Sequence, residues 1–341
     1  MSSFVSITTP EAKTALAAHR IEHLPVLVIF PHNQCNCRCM MCDIWRIREA
    51  KQISPRDLEP HLDSFRKLGV RWVVFSGGEP QLNEKWSILA RILRSINIRV
   101  TLLTAGLLLK TQAREVAECV DDVIVSLDGP SVVHNRIRRI SGAFEHMAEG
   151  VKAIHNLRSE MDVRARCTVQ KENRNALREV IASARQIGLA SISFLAADLT
   201  SSAFNRPDGW GPSQSDRVSL TSHETDELEG EIESLIIEEH ERPGFVVESP
   251  AKLRRIVEHF RAQLGEATET APRCNAPWVS AVIEASGDLR PCFFHSTLGN
   301  IHSQSLDEVI NGPEALRFRA ELDISTNPTC RRCVCSLHIA Q

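Results

Sequence analysis

Between residues 25 and about 197 the chain alternates short apolar runs with amphipathic stretches, and it does so six times. Residues 26–30 form an apolar run ended by Pro31, which suits a buried strand. Ser54-Pro55 reads as a capping residue followed by proline at the first helical position. Leu58, Leu62 and Phe65 continue at helical spacing, and Gly69 suits the stop. Residues 70–75, 98–103, 123–127, 163–169 and 191–195 supply five more strands. Helical stripes separate them: Trp86, Leu89 and Leu93; residues 111–119; Phe144, Met147, Val151 and Ile154; and Leu177, Val180, Ile181 and Ala184. In the fifth strand Val163, Ala165, Cys167 and Val169 alternate with Arg164, Arg166 and Thr168, as on a half-exposed strand. Strands joined through helices pair in parallel by right-handed crossovers. The fold class expected is therefore α/β, a partial (βα)6 parallel barrel over residues 22–199, with function on the loops after the strands' C-terminal ends.

After Asp198 the alternation stops. Residues 200–222 are rich in Ser, Pro, Gly and Asp and read as a long loop. Residues 221–241 hold nine acids and no Lys or Arg, with Leu228, Ile232 and Leu235 at helical spacing. A solvated amphipathic helix is expected there, with docking of a basic partner as the less favoured alternative. Residues 252–264 suit a second helix, which makes 200–270 a loop and helical linker. Residues 271–341 form a last unit. In it, 279–283 and 289–292 flank a turn at Ser286-Gly287-Asp288. Ser305 with Glu308 resembles a capping box, and Pro313 starts a helix running to Leu322.

The net charge of −3 gives no basic excess, so neither nucleic acid nor a membrane surface is expected as a partner. The N-terminal segment, 1–21, has no apolar signal core, and the early apolar run at 24–30 is far short of the roughly 18 residues a membrane span needs. A cytoplasmic location is the expectation. Eleven cysteines in a reducing compartment point to metal or redox chemistry rather than disulfides. The chain has no tyrosine, which excludes a tyrosyl radical or a phenolic acid. No side chain stands out as a catalytic acid or base.

The loop after the first strand carries Cys35, Cys39 and Cys42 in C-x3-C-x2-C spacing. Thiolates suit iron–sulfur clusters. Three of them on a four-iron cubane leave one iron open, as a catalytic zinc keeps one position for substrate. The second strand ends in Ser76-Gly77-Gly78-Glu79-Pro80, where two glycines permit close backbone approach.

These two motifs, at successive strand ends, resemble the radical SAM superfamily over roughly residues 22–197. The resemblance implies a 4Fe-4S cluster on Cys35, Cys39 and Cys42 that binds S-adenosyl-L-methionine (SAM) and cleaves it to a 5′-deoxyadenosyl radical. It implies that Met41 lies near the adenine and that Gly77, Gly78 and Glu79 receive the ammonium. Ser126, in Ser126-Leu127-Asp128-Gly129, would bind the methionine carboxylate, with Arg138 as a second carboxylate ligand. His134, Arg136, Arg138 and Arg139 together offer an alternative site for an acidic substrate group. Where the family often has Thr-Asn-Gly after the third strand, this chain has Thr104-Ala105-Gly106, so any role of the amide is lost or moved.

Cys274, Cys292, Cys330, Cys333 and Cys335 resemble the SPASM/twitch extension of these enzymes in its short form. That implies one auxiliary 4Fe-4S cluster on Cys274, Cys292, Cys330 and Cys333, with Cys335 competing for the last place. Arg331 and Arg332 would raise its potential by their charge. A four-cysteine zinc site is the competing reading, and a zinc site using Cys37 as fourth ligand competes at the first motif. Cys119 and Cys167 are assigned to packing.

The function expected is hydrogen-atom abstraction from an unidentified small molecule, with the auxiliary cluster assisting net oxidation. A peptide maturase forming a crosslink or thioether is one alternative, and a non-enzymatic zinc or iron–sulfur protein is another. Only about 24 residues precede the barrel, which leaves no room there for a leader-binding domain and favours the small molecule. A flavodoxin- or ferredoxin-type electron donor is implied.

Overall fold

A nine-stranded sheet runs through the protein in the order β6-β5-β4-β3-β2-β1-β7-β8-β9. The computed structural model describes residues 19–207, 209–241 and 243–340. Most of the expected N-terminal segment, 1–21, lies outside the described residues. The six expected strands are β1 (Val26–His32), β2 (Trp72–Gly77), β3 (Arg99–Thr104), β4 (Asp122–Ser126), β5 (Asp162–Val169) and β6 (Ile192–Ala196), each parallel to its neighbour. The helices of the fold include α1 (Leu62–Lys67), α2 (Trp86–Ser95), α3 (Ala113–Cys119), α4 (Ser131–Arg138), α5 (Ala143–Leu157), α6 (Leu177–Gln186), α7 (Ser222–Glu241), α8 (Pro250–Gln263), α9 (Leu306–Ile310) and α10 (Pro313–Glu321).

The two faces of the parallel sheet differ sharply. Leu27, Ile29, Val73, Phe75, Val100 and Val163 are almost fully buried against the helices. Cys167 lies on that face and Cys119 in α3, and both are core residues. Residues of opposite parity, among them Ser76, Ile124, Ser126, Arg164 and Arg166, stay half-buried or exposed on the inner face. Strand periodicity of two therefore separates a structural layer from an open lumen.

The C-terminal hairpin does not form a sheet of its own. β7 (Ser280–Ile283) pairs in parallel with β1, and β8 (Asp288–Arg290) and β9 (Gly299–Asn300) follow antiparallel. The reason is physical: β1 would otherwise present a free edge, and an unpaired edge is a liability. The unit is tied further to the barrel through α9, where Ser64 donates to Asp307 at 2.6 Å and Lys67 pairs with the same carboxylate.

The acidic helix α7 is packed rather than merely solvated. Leu228, Ile232 and Leu235 are fully buried. Its carboxylates are met by arginines from both flanks. Glu231 pairs with Arg178 at 2.9 Å and Glu239 with Arg185 at 3.0 Å, while on the α8 side Glu233 pairs with Arg254 at 2.7 Å and Glu229 with Arg261 at 2.6 Å.

Candidate functional site

The loop after β1 is closed at its base by short polar contacts. Gln34 donates from its amide to the carbonyls of Ile47 and Arg48, both at 2.9 Å, and Asn33 donates to Glu49 O at 2.9 Å. Its middle lies against the end of α4, where Arg38 N donates to Arg138 O at 3.1 Å and Met40 N to Ile137 O at 3.0 Å. These contacts gather Cys35, Cys37, Cys39 and Cys42 around Ala105, Leu107 and Ile140. Cys37 lies within hydrogen-bond reach of Cys35 and Cys39. Its hydrogen bond draws the Cys39 thiol below the ordinary range; burial opposes this, and the Arg138 charge adds to the lowering. Burial pushes Cys42 up.

The glycine pair at the end of β2 is required by space. Gly77 has φ +105°, and a Cβ there would lie 2.7 Å from Phe30 Cβ. A Cβ on Gly78 would lie 2.1 Å from the carbonyl oxygen of Gln34. Glu79 is fully buried and accepts from Ala105 N at 2.8 Å and Thr104 Oγ1 at 2.9 Å. Burial pushes its carboxyl up to about 7 against the pull of those donors. The Thr-Ala-Gly departure thus works through backbone and hydroxyl, while the Ala105 methyl packs on Cys37 and Cys39.

Behind the cysteine loop, Arg138 Nη2 lies 2.6 Å from Asp128 and Nη1 lies 3.5 Å from Cys39 Sγ. Asp128 is itself fixed by Thr168 N at 3.0 Å. The implied carboxylate ligand Arg138 is therefore already engaged from within the protein. Ser126 stands at the lumen end of β4, half-buried. Met41 packs with Met40 and Trp210 beside Ala197 and Leu199.

The segment after β6, read from sequence only as a loop, covers this site. Arg206 is buried and pairs with Asp198 at 2.6 Å. Its guanidinium lies 4.5 Å from the Trp210 ring, and the Trp210 indole donates to Asp43 at 2.6 Å. Asp43 N in turn donates to Phe204 O at 3.1 Å. The one available signal was an Arg and a Trp within a Ser- and Gly-rich stretch. Phe204 also packs edge-on against Phe293, 4.8 Å between centroids, next to Cys292.

Of the second cysteine group, Cys274, Cys292, Cys330 and Cys333 are half-buried and Cys335 is exposed. The Cys292 thiol, pushed up to about 11 by burial, feels Cys330 and Cys274, and Cys333 feels Cys335, Cys292 and Cys274. Asn327 caps the turn that carries Cys330, accepting from Cys330 N at 3.1 Å. His295 Nε2 lies 3.4 Å from Cys330 Sγ. Among the described residues no three His, Cys, Asp or Glu side chains converge as a single metal ion requires. Both groups offer only sulfur donors, the ligand type that suits an iron–sulfur cluster.

Residues 29–184 match the family model of the radical SAM superfamily, and residues 274–334 match the SPASM iron–sulfur cluster-binding domain. The chain therefore carries a radical SAM domain followed by a SPASM domain. It is 25% identical over 293 residues to the antilisterial bacteriocin subtilosin biosynthesis protein AlbA of Bacillus subtilis, covering 82% of the chain and 58% of AlbA. It is 29% identical over 154 residues to the Fe-coproporphyrin III synthase of Methanosarcina barkeri, covering 44% of the chain and 38% of that enzyme. Among solved structures, Streptococcus suis SuiB bound to its precursor peptide SuiA superposes with a TM-score of 0.67 at 16% identity, covering 99% of this chain and 80% of SuiB, which is a likeness of fold. The chain spans about two fifths to three fifths of the length of these curated relatives.

Proposed function

We propose that this protein is a radical SAM enzyme that abstracts a hydrogen atom from a peptide, with its C-terminal cysteines assisting net oxidation. The observation that carries the reaction class is the joint geometry of the first site: Cys35, Cys39 and Cys42 gathered on one loop, with buried Glu79 behind the glycine pair. When bound, a cubane with one open iron supplies the electron that splits SAM into methionine and the 5′-deoxyadenosyl radical.

The chain's own residues bind, orient and shield. Cys35, Cys39 and Cys42 hold the catalytic cluster. Gly77 and Gly78 let the backbone approach the cosubstrate, and Glu79 receives its ammonium. Ser126 takes the methionine carboxylate and Met41 lies at the adenine. Arg138 holds Cys39 and the loop in place, with one terminal nitrogen on Asp128 and the other on the Cys39 sulfur. Trp210, bonded to Asp43, keeps water away from the loop. Cys274, Cys292, Cys330 and Cys333 hold the auxiliary cluster, and exposed Cys335 is left free.

The peptide reading is supported by the match to AlbA across 82% of the chain. A small-molecule substrate is the second reading, favoured by the match to Fe-coproporphyrin III synthase, which is confined to 44% of the chain. A flavodoxin or ferredoxin remains the electron donor we propose. Anaerobic reconstitution tests the reaction: about eight irons per chain and 5′-deoxyadenosine after dithionite reduction are expected from two cubanes. Zinc without nucleoside release overturns it. Mass spectrometry of co-expressed candidate peptides separates the substrate readings by a loss of hydrogen.

A further inference from the structure

Three arginines project from the inner face of the six parallel strands β1–β6, and they are not alike. Arg99 pairs with Asp122 at 2.7 Å, and Arg164 pairs with Asp162. Arg166, one pleat nearer the C-terminal end of β5, has no carboxylate at ion-pair distance among the described residues. Its Nε donates to Ser193 Oγ at 3.3 Å, and neither terminal nitrogen has a partner among those residues. It is exposed, although its strand neighbours Ala165 and Cys167 are 2% and 0% exposed.

Register fixes where this free fork lies. Arg166 sits between Ser126 on β4 and Ser193 on β6, across the top of the lumen. The bond to Ser193 leans it away from Ser126. Its charge is felt at Glu248 and Cys335, as is that of Lys252 from α8. The nearby acids are otherwise occupied: Glu248 accepts from Phe194 N at 2.8 Å, and Asp198 holds Arg206. The guanidinium therefore faces the space between the barrel and the auxiliary cysteines. A planar fork with two free nitrogens recognises a carboxylate through two parallel hydrogen bonds.

We propose that Arg166 receives a carboxylate of the substrate, with Lys252 adding positive charge, so that the enzyme acts on an anionic substrate. This rests on the radical SAM reading above and narrows its substrate class. The carboxylate belongs either to an acidic side chain of a peptide or to a free small molecule, and Arg166 reads the group they share.

The test uses the cluster-loaded full chain with SAM bound. Phenylglyoxal modification of Arg166 is followed by peptide mapping, with glutarate or an acetyl-Ala-Glu-Ala amide as probe. Each probe is expected to slow modification at Arg166 severalfold, while glutaramide and the Gln peptide leave it unchanged. Stronger protection by the peptide assigns the peptide source, and equal protection assigns recognition to the carboxylate alone. Equal protection by acid and amide, no protection by either acid, or full protection by SAM alone overturns the proposal. The 5′-deoxyadenosine release of unmodified enzyme tests the reaction itself, so the two failures are distinguishable.

Discussion

The guanidinium of Arg138 and the carboxylate of Asp128 lie 2.6 Å apart, with side chains 8% and 0% exposed, directly behind the sulfur of Cys39. A buried pair of this kind costs much to break from one side, because the surviving charge is left without a partner. Asp128→Asn is expected to destabilise the metal-free protein by about 3–5 kcal/mol, read by urea denaturation. The double variant Asp128→Asn/Arg138→Met is expected to recover part of that loss. A single variant as stable as wild type would show that the pair is not the anchor of the loop.

Gly78→Ala places a methyl 2.1 Å from the Gln34 carbonyl oxygen, and the clash is with backbone, which cannot turn aside as a long side chain can. The cysteine loop must then move. The expected result is loss of most iron from the first site with the circular dichroism of the fold retained. Full iron loading in the variant would refute the steric argument.

Glu79 makes stability depend on pH in a defined direction. Its folded pKa, about 7, lies above its ordinary value of 4.5, so the folded state binds the extra proton. The stabilisation is fully present below about pH 4.5 and is lost as pH rises through 7, an effect on the order of 3 kcal/mol. Glu79→Gln should remove this slope in denaturation of the metal-free protein between pH 5 and 8, a range set by the two pKa values. Equal slopes for both proteins would exclude Glu79 as the source.

Binding of the SAM ammonium needs the ionised form of the same carboxylate. SAM affinity, measured by equilibrium dialysis, is therefore expected to weaken as pH falls below about 7, in step with protonation of Glu79. A pH-independent affinity would remove Glu79 from the binding site.

Cys333 and Cys335 are separable by iron content. Cys333 is half-buried beside Cys292 and Cys274, whereas Cys335 is exposed. Cys333→Ala is expected to lose about half of the iron, one cubane of two, and Cys335→Ala to keep it all. The reverse pattern would exchange their roles.

Trp210 anchors the cover over the first site through one hydrogen bond to Asp43 at 2.6 Å. Hydrogen bonds to charged groups contribute about 1.5–3 kcal/mol. Trp210→Phe keeps the ring and loses the donor, so amide exchange at Asp43 should accelerate severalfold in mass-spectrometric mapping. Unchanged exchange would mean that the cover is held by the Phe204 carbonyl, which accepts from Asp43 N, and by Asn205, whose amide donates to Asp43 O at 3.0 Å.

How much was legible in advance can be seen at particular residues. Ser305 and Glu308 form the capping box their spacing suggests, and Gly69 and Gly188 end their helices at φ +64° and +82°. The alternation of Arg164 and Arg166 with Ala165 and Cys167 separated the lumen from the core correctly. In contrast, residues 279–283 read as a hairpin arm of a separate unit, yet they pair with β1. Nothing local encodes that choice, since it depends on which edge the first six strands leave free. The acids of α7 read as a charged surface because the arginines that neutralise them lie elsewhere in the sequence.

The order of strands and helices, the C-x3-C-x2-C loop and the glycine pair followed from the chain alone, because short-range periodicity and spacing carry their own physical constraints. The engagement of Arg138 by Asp128, the clamp from Trp210 to Asp43, and the free fork of Arg166 above Ser193 were decided only by the tertiary structure. These depend on which distant side chains meet once the sheet has closed around its lumen. A charge shows its purpose only when its counter-charge is present or missing in space.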